Sequence, residues 1–239
     1  MTMDARPDIL FVGSSGLIGS MALPALLRAA EIGSRRVFTA VRRSTGTTHP
    51  RLVEIVGQGT PQENDVGIEA SLGQHAAALG VFICTLGTTM AQAGSESAFA
   101  AIDRDLVLHL ADLALRHGAQ HAIVVSSVGA DARARNFYLR TKGKMERDLS
   151  SLGFRRCDFM HPGLLLGARE GTAHRAGERI AQRLSPVYNP LLVGPLRRYR
   201  AISAEVVARA IVDLVDRSDE GIHRHEFDDM QALAANTNV

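Results

Sequence analysis

The sequence predicts an α/β fold: a doubly wound parallel sheet with helices on both faces and a small C-terminal substrate region. Two observations predict it. Short apolar runs alternate with longer helix-forming stretches from residue 8 to about 160, the pattern of parallel strands joined by crossover helices. The first run, Ile9-Leu10-Phe11-Val12, passes directly into glycines at 13, 16 and 19, then into Ser20-Met21-Ala22-Leu23. Strand, tight turn and helix start in that order bring backbone N–H groups and the positive end of a helix dipole to one point. Such a point suits a dinucleotide pyrophosphate. One glycine permits the turn, one admits the phosphate, and one lets helix pack on strand.

With 239 residues, 46% of them hydrophobic, the chain can bury a useful core as one domain over 1–239. Cys84 and Cys157 both lie in apolar stretches and read as buried free thiols of a reducing compartment. A net charge of +2 is too mild to point to nucleic acid. The opening MTMDARPD carries no signal pattern, and no apolar run approaches membrane-spanning length. A cytosolic protein that does not engage a membrane is the expectation. Of the 27 basic residues only Lys142 and Lys144 are lysines, which draws attention to both.

In order, strand one covers about 8–13 and a helix about 17–30, with Pro24 predicting a kink. Strand two (35–41, RRVFTAV) ends at Arg42-Arg43, and strand three falls at 51–56 before a polar, Gly-rich loop and a short helix. Strand four (81–86, VFICTL) ends in Gly87-Thr88-Thr89. A long amphipathic helix over 96–117 carries Phe99, Ile102, Leu106, Leu110 and Leu113 on one stripe, which packs on the sheet or pairs two copies as a homodimer. Strand five (121–127, HAIVVSS) precedes a helix over 136–151 capped by Asn136. Strand six (155–160) stops at His161-Pro162-Gly163. The periodicity then breaks up over 164–202, the substrate-side segment, with a helix near 174–184. Ser203 caps a helix over 204–217, a last strand falls at 222–227, and the tail after Met230 reads as frayed.

The end of strand two is where such a fold reads the adenosine ribose. A carboxylate there suits NAD, whereas Arg42 and Arg43 suit the 2′-phosphate of NADP. Tyr138 and Lys142 stand four apart on one helix, so phenol and ammonium share a face. A tyrosine of ordinary pKa ~10 needs about 4 kcal/mol of differential stabilisation to act near pH 7. A lysine about 5 Å away at an effective dielectric of ~20 supplies roughly 3 kcal/mol of it. Ser126 and Ser127 end strand five at the ligand edge, where a hydroxyl can bond a substrate oxygen; Ser127 is preferred. His223 and His225 share a strand face but lack further ligands nearby in sequence, so no metal is expected. Arg197-Arg198-Tyr199-Arg200 reads as a solvated basic loop or an anion clamp.

These stretches resemble the atypical short-chain dehydrogenase/reductase superfamily through Gly13-x-x-Gly16-x-x-Gly19, Cys84-Thr85-Leu86-Gly87-Thr88-Thr89, Val125-Ser126-Ser127 and Tyr138-x-x-x-Lys142-Gly143. With Phe137-Tyr138-Leu139 and Pro162-Gly163-Leu164-Leu165-Leu166-Gly167 the chain is similar to the HIV Tat-interacting oxidoreductase-like group. The resemblance implies a Rossmann-type fold in which Tyr138 is the acid/base, Lys142 holds the nicotinamide ribose and Ser127 polarises the substrate oxygen. It further implies that Ser14, Ser15, Gly16, Leu17 and Ile18 cradle the pyrophosphate and that Arg42 and Arg43 meet the 2′-phosphate. Leu86 and Gly87 would line the cofactor, and Pro162, Gly163 and Leu165 would flank the nicotinamide. Two departures stand out: His161 replaces the arginine common before Pro-Gly, and 57–65 lacks a clear adenine contact beyond Asn64 or Asp65. The expectation is an oxidoreductase that binds NADP(H) and a small carbonyl or alcohol substrate. Its rivals are an NADP(H)-sensing regulator acting through protein partners and a sugar-nucleotide epimerase or dehydratase.

Overall fold

A computed structural model describes residues 6–57, 61–75, 78–167 and 189–237, except the side chains of Ile32 and of 61–66. The helix expected near 174–184 lies outside them, as do the side chains of Asn64 and Asp65. Seven parallel strands form the sheet in the order β3-β2-β1-β4-β5-β6-β9. They are β1 (Asp8–Val12), β2 (Val37–Val41), β3 (Leu52–Val56), β4 (Leu79–Cys84), β5 (His121–Val125), β6 (Arg156–Met160) and β9 (Gly221–His225). Short strands β7 (Leu165–Leu166) and β8 (Ile202–Ser203) pair separately. The order reverses between β1 and β4, so the carboxyl ends of those two strands border a crevice, the usual ligand position of such sheets.

Every residue of β1, β5 and β6 is buried, as strands covered on both faces must be. Alternation then divides them. Ile9 and Phe11 join the core under α1 (Gly19–Gly33), α7 (Ala204–Leu214) and α8 (Phe227–Asn236). Leu10 and Val12 join the opposite core, with Val107, Leu110 and Met145 from the helices on that face. This is a Rossmann-type fold. The cysteines are free and buried, and burial pushes Cys84 up to about 12 and Cys157 up to about 11. Among the described residues no helix is long and apolar enough to cross a membrane.

Three expectations are corrected. The 96–117 helix is not one regular α-helix. It runs as α4 (Glu96–Ala100), a π-helical turn over Ala101–Leu106 and α5 (Val107–Arg116). Of the expected stripe Phe99, Leu110 and Leu113 are buried and Leu106 packs on the core, while Ile102 faces outward and Asp103 is buried within the π turn. The tail is helical, not frayed: Glu226 and Asp229 form a capping box, and Met230 and Ala234 are buried. Helix α1 starts at Gly19 rather than 17, with Pro24 inside it. The caps expected at Asn136 and Ser203 are present, accepting from the N–H groups of Leu139 at 3.1 Å and Val206 at 3.2 Å.

Candidate active site

The glycine turn is shaped by its neighbours. Gly13 has φ +86°, and a Cβ there would lie 2.7 Å from the Leu86 nitrogen. A Cβ on Gly19 would lie 2.1 Å from the Gly13 oxygen. The loop after β4 is drawn onto this turn, with Thr85 N–H donating to Val12 O at 2.9 Å and Thr85 Oγ1 to Gly13 O at 2.9 Å. Leu86 is half-buried there, and Gly87 is exposed. Helix α1 begins without a side-chain cap, since Ile18 stands at its N-cap, and backbone carbonyls take its first amides: Ser20 N–H donates to Gly16 O at 2.8 Å and Met21 N–H to Ile18 O at 3.1 Å. A tight turn that admits only glycine at 13 and 19, leading into a helix without a side-chain cap, fits a dinucleotide pyrophosphate. Within it Ser15 is exposed and Leu17 and Gly16 half-buried, while Ser14 is buried and accepts from Thr39 Oγ1 at 2.6 Å. The Ser14 hydroxyl therefore serves the turn. Arg42 and Arg43 follow β2 exposed, with no side-chain hydrogen bond or ion pair among the described residues.

Helix α6 (Phe137–Ser150) places Tyr138, Lys142 and Glu146 on one stripe, four residues apart. Each meets the carboxyl edge of the sheet differently. Tyr138 is half-buried, its ring tilted against Phe99 at 5.5 Å between centroids. Lys142 is 3% exposed; its Nζ lies 3.5 Å from Val125 O and 2.7 Å from Asp103 Oδ1. Burial by itself would push this ammonium's pKa down, but the attraction of Asp103, with help from Tyr138, outweighs it and holds the pKa above the ordinary value. Asp103 is also wholly buried and accepts from Thr88 N–H at 2.9 Å.

Glu146 resolves two matters left open by sequence. It accepts from Ser126 Oγ and Arg224 Nε, and its Oε1 lies 2.8 Å from His161 Nε2. Ser126 is thus committed inside the protein. Among the described residues half-buried Ser127 makes only a long 3.4 Å contact with Val128 O, leaving its hydroxyl available. His161, in the place of an arginine, is anchored by that same carboxylate and donates its backbone N–H to His225 O at 2.8 Å. Beyond it Pro162 O accepts from Val128 N–H at 3.1 Å. A Cβ on Gly163 would lie 2.6 Å from Arg200 O, and one on Gly167 2.8 Å from the Leu17 side chain. Leu165 pairs with Ile202, so Leu164–Gly167 runs from the Pro162-Gly163 turn to the Leu17 side chain of the glycine turn.

Sequence reasoning missed Asp103 and Glu146. Both lie on helices read through other residues, the apolar stripe of 96–117 and the Tyr138/Lys142 face. The available signal was an acidic residue four positions from Phe99 and another four from Lys142. The basic loop is no free clamp: Arg197 pairs with Asp228, Arg198 with Glu226, and Arg200 covers the Phe227 ring. His225 bonds Asp158 at 2.6 Å, and His223 stacks on it.

No family model matches the chain. The fold is shared with Thermoplasma acidophilum aldohexose dehydrogenase, with TM-score 0.62 and 15% identity over 99% of this chain and 98% of that one. It is shared too with MoeE5, solved with UDP-glucuronic acid and NAD, at TM-score 0.61 and 16% identity over 91% of this chain and 75% of that one. In sequence, the mitochondrial protein FMP52 of Meyerozyma guilliermondii is 33% identical over 202 residues, 84% of this chain and 83% of that protein. The mitochondrial FMP52 of Eremothecium gossypii is 35% identical over 172 residues, 70% of each. These relatives are named for the mitochondrion, which overturns the cytosolic expectation. Composition and the absence of a signal pattern describe a folded domain and do not encode its compartment. Both relatives carry the FMP52 name, and at this identity and coverage the chain belongs to the FMP52 family.

Proposed function

We propose that this protein is an NADP(H)-dependent oxidoreductase of short-chain dehydrogenase/reductase type, acting on a small carbonyl or alcohol. The observation that carries the reading is the placement of Tyr138 and Lys142 on one face of α6, with the free Ser127 hydroxyl at the end of β5. The backbone of 13–19 would hold the pyrophosphate, with Leu86 and Gly87 on one side and Pro162, Gly163 and Leu165 toward the nicotinamide. Arg42 and Arg43, exposed and unpaired, suit a 2′-phosphate. A bound nicotinamide supplies or takes up the hydride. Ser127 donates to the substrate oxygen and holds it. Tyr138 gives that oxygen a proton in the reductive direction and takes it back in the other. Lys142 holds the ribose and favours the ionised phenol. Residues 1–239 would work as one domain, with 164–202 shaping the substrate side.

Screening aldehydes, ketones and alcohols with NADPH is expected to find turnover that Tyr138→Phe lowers about a hundredfold or more, with cofactor affinity little changed. Undiminished turnover in Tyr138→Phe would sink the assignment. A second reading, a sugar-nucleotide epimerase or dehydratase, is supported by the UDP-glucuronic acid and NAD with which MoeE5, of the same fold, was solved. Such an enzyme would convert a nucleotide sugar with no net consumption of cofactor, which separates it from the first.

A further inference from the structure

Lys142 has a neighbour that the reaction above does not require. An ammonium can hold a ribose and favour a phenolate with no carboxylate at hand, yet Asp103 stands 2.7 Å away, fully buried. Taking two charges out of water is costly and persists only with close geometry and further hydrogen bonds. Both conditions are met. Asp103 Oδ2 accepts from Thr88 N–H, and Val125 O faces Nζ. The backbone around it is unusual too: Asp103 is the buried residue of the π-helical turn over Ala101–Leu106, four positions on from buried Phe99. π-Bulges of this kind recur at functional sites.

We propose that Asp103 is the positioning residue of Lys142, pinning its ammonium beneath the ends of β4 and β5 and moderating its action on Tyr138. The groups facing that ammonium are Asp103 from the π turn, Tyr138 from its own helix, Cys84 from β4 and the Val125 carbonyl from β5. Of these Asp103 alone brings a full negative charge at neutral pH, since Cys84 is pushed up to about 12. The carboxylate keeps the ammonium charged and offsets part of its field at the phenol. What Asp103 does to Lys142 is independent of the reaction; what it does to turnover rests on the oxidoreductase reading.

With only two lysines, protein labelled with 15N and 13C in lysine alone gives two side-chain signals, and Lys144→Arg identifies that of Lys142. In the unmodified chain the Lys142 signal is expected to hold its ammonium position to a pH above the ordinary lysine midpoint of about 10.4. Asp103→Asn keeps the side chain's size and an acceptor for Thr88 N–H but removes the charge, and is expected to lower the midpoint by about one pH unit or more. A wild-type midpoint at or below that of ordinary lysine overturns the proposal, even if the variant fails to fold. So does an equal midpoint in a folded Asp103→Asn. Where turnover is found, the alkaline limb of kcat/KM is expected to move down with the lysine midpoint, whereas a merely structural loss would lower the rate at all pH values alike. A shifted midpoint in a protein that turns over nothing supports the pairing and counts against the oxidoreductase reading alone.

Discussion

Ser126 and Ser127 are adjacent in sequence and opposite in fate. One hydroxyl is spent on buried Glu146, and the other is left at the ligand edge. The extended backbone at a strand end turns consecutive side chains to opposite sides, so only one of the pair can reach the crevice. Arg42 and Arg43 make the matching case for charge. Each charge-assisted contact to a phosphate is worth roughly 1.5–3 kcal/mol, so Arg42→Ala is expected to weaken NADPH about ten- to a hundredfold and leave NADH nearly unchanged. Fluorescence titration of both cofactors reads this directly. Equal losses for the two would remove the basis for an NADP preference. Both arginines were legible because a strand end and a missing carboxylate are sequence features. The commitment of Ser14 to Thr39 was not, because it depends on which strand lies alongside.

At the scale of elements, α6 is the piece on which the site depends. Tyr138, Lys142 and Glu146 share its stripe, and the helix is seated by a glycine. A Cβ on Gly143 would stand 2.1 Å from the Asp131 carbonyl carbon and 2.2 Å from the Ala132 nitrogen. Backbone atoms cannot step aside as a flexible side chain can. Gly143→Ala is therefore expected to push α6 off the loop after Ser127, costing about 1–3 kcal/mol in stability. Turnover should fall further than stability alone explains, because Tyr138 moves with the helix. Thermal denaturation together with assays well below the melting temperature would show it, and wild-type kinetics in a destabilised Gly143→Ala would refute the coupling. The Asn136 cap and the Tyr138/Lys142 face were readable from spacing. The π turn was not: no residue type marks it, and its inserted residue is stabilised by what Asp103 finds on the far side, Lys142 and Thr88.

Across the whole molecule, one buried carboxylate ties three strands together. Asp158 of β6 accepts from His121 of β5, His225 of β9 and Arg156 of its own strand. Burial alone would push its pKa up; the hydrogen bonds from His121, His225 and Arg156 outweigh that and hold it far below the usual carboxylate range. A depressed native pKa stabilises the fold above the ordinary aspartate value of about 3.9, and that contribution is lost as pH falls below it. Asp158→Asn leaves Arg156 and two histidines without their anion, so a loss of about 3–5 kcal/mol at neutral pH is expected. For a chain of this size that is on the order of 10 °C in Tm. Melting curves from neutral pH to about pH 3 should show a steeper acid decline in the parent chain than in Asp158→Asn. Equal slopes would show that Asp158 does not carry the acid sensitivity.

The sequence by itself determined the local and periodic features. These are the strands, the glycine turn after the first of them, the Tyr138–Lys142 face, and Arg42 and Arg43 at the end of the second. Each follows from spacing along the chain, where a period of two or of 3.6 residues is enough to say which side chains share a face. Only the tertiary structure decided that Asp103 meets Lys142, that Glu146 joins Ser126 to His161, that Ser127 rather than Ser126 is free among the described residues, and that Phe227–Asn236 forms a docked helix. Those outcomes depend on buried charges and hydroxyls finding partners far away in sequence. The cost of leaving a buried polar group unpaired settles them once the strands are in order, and no local pattern announces it beforehand.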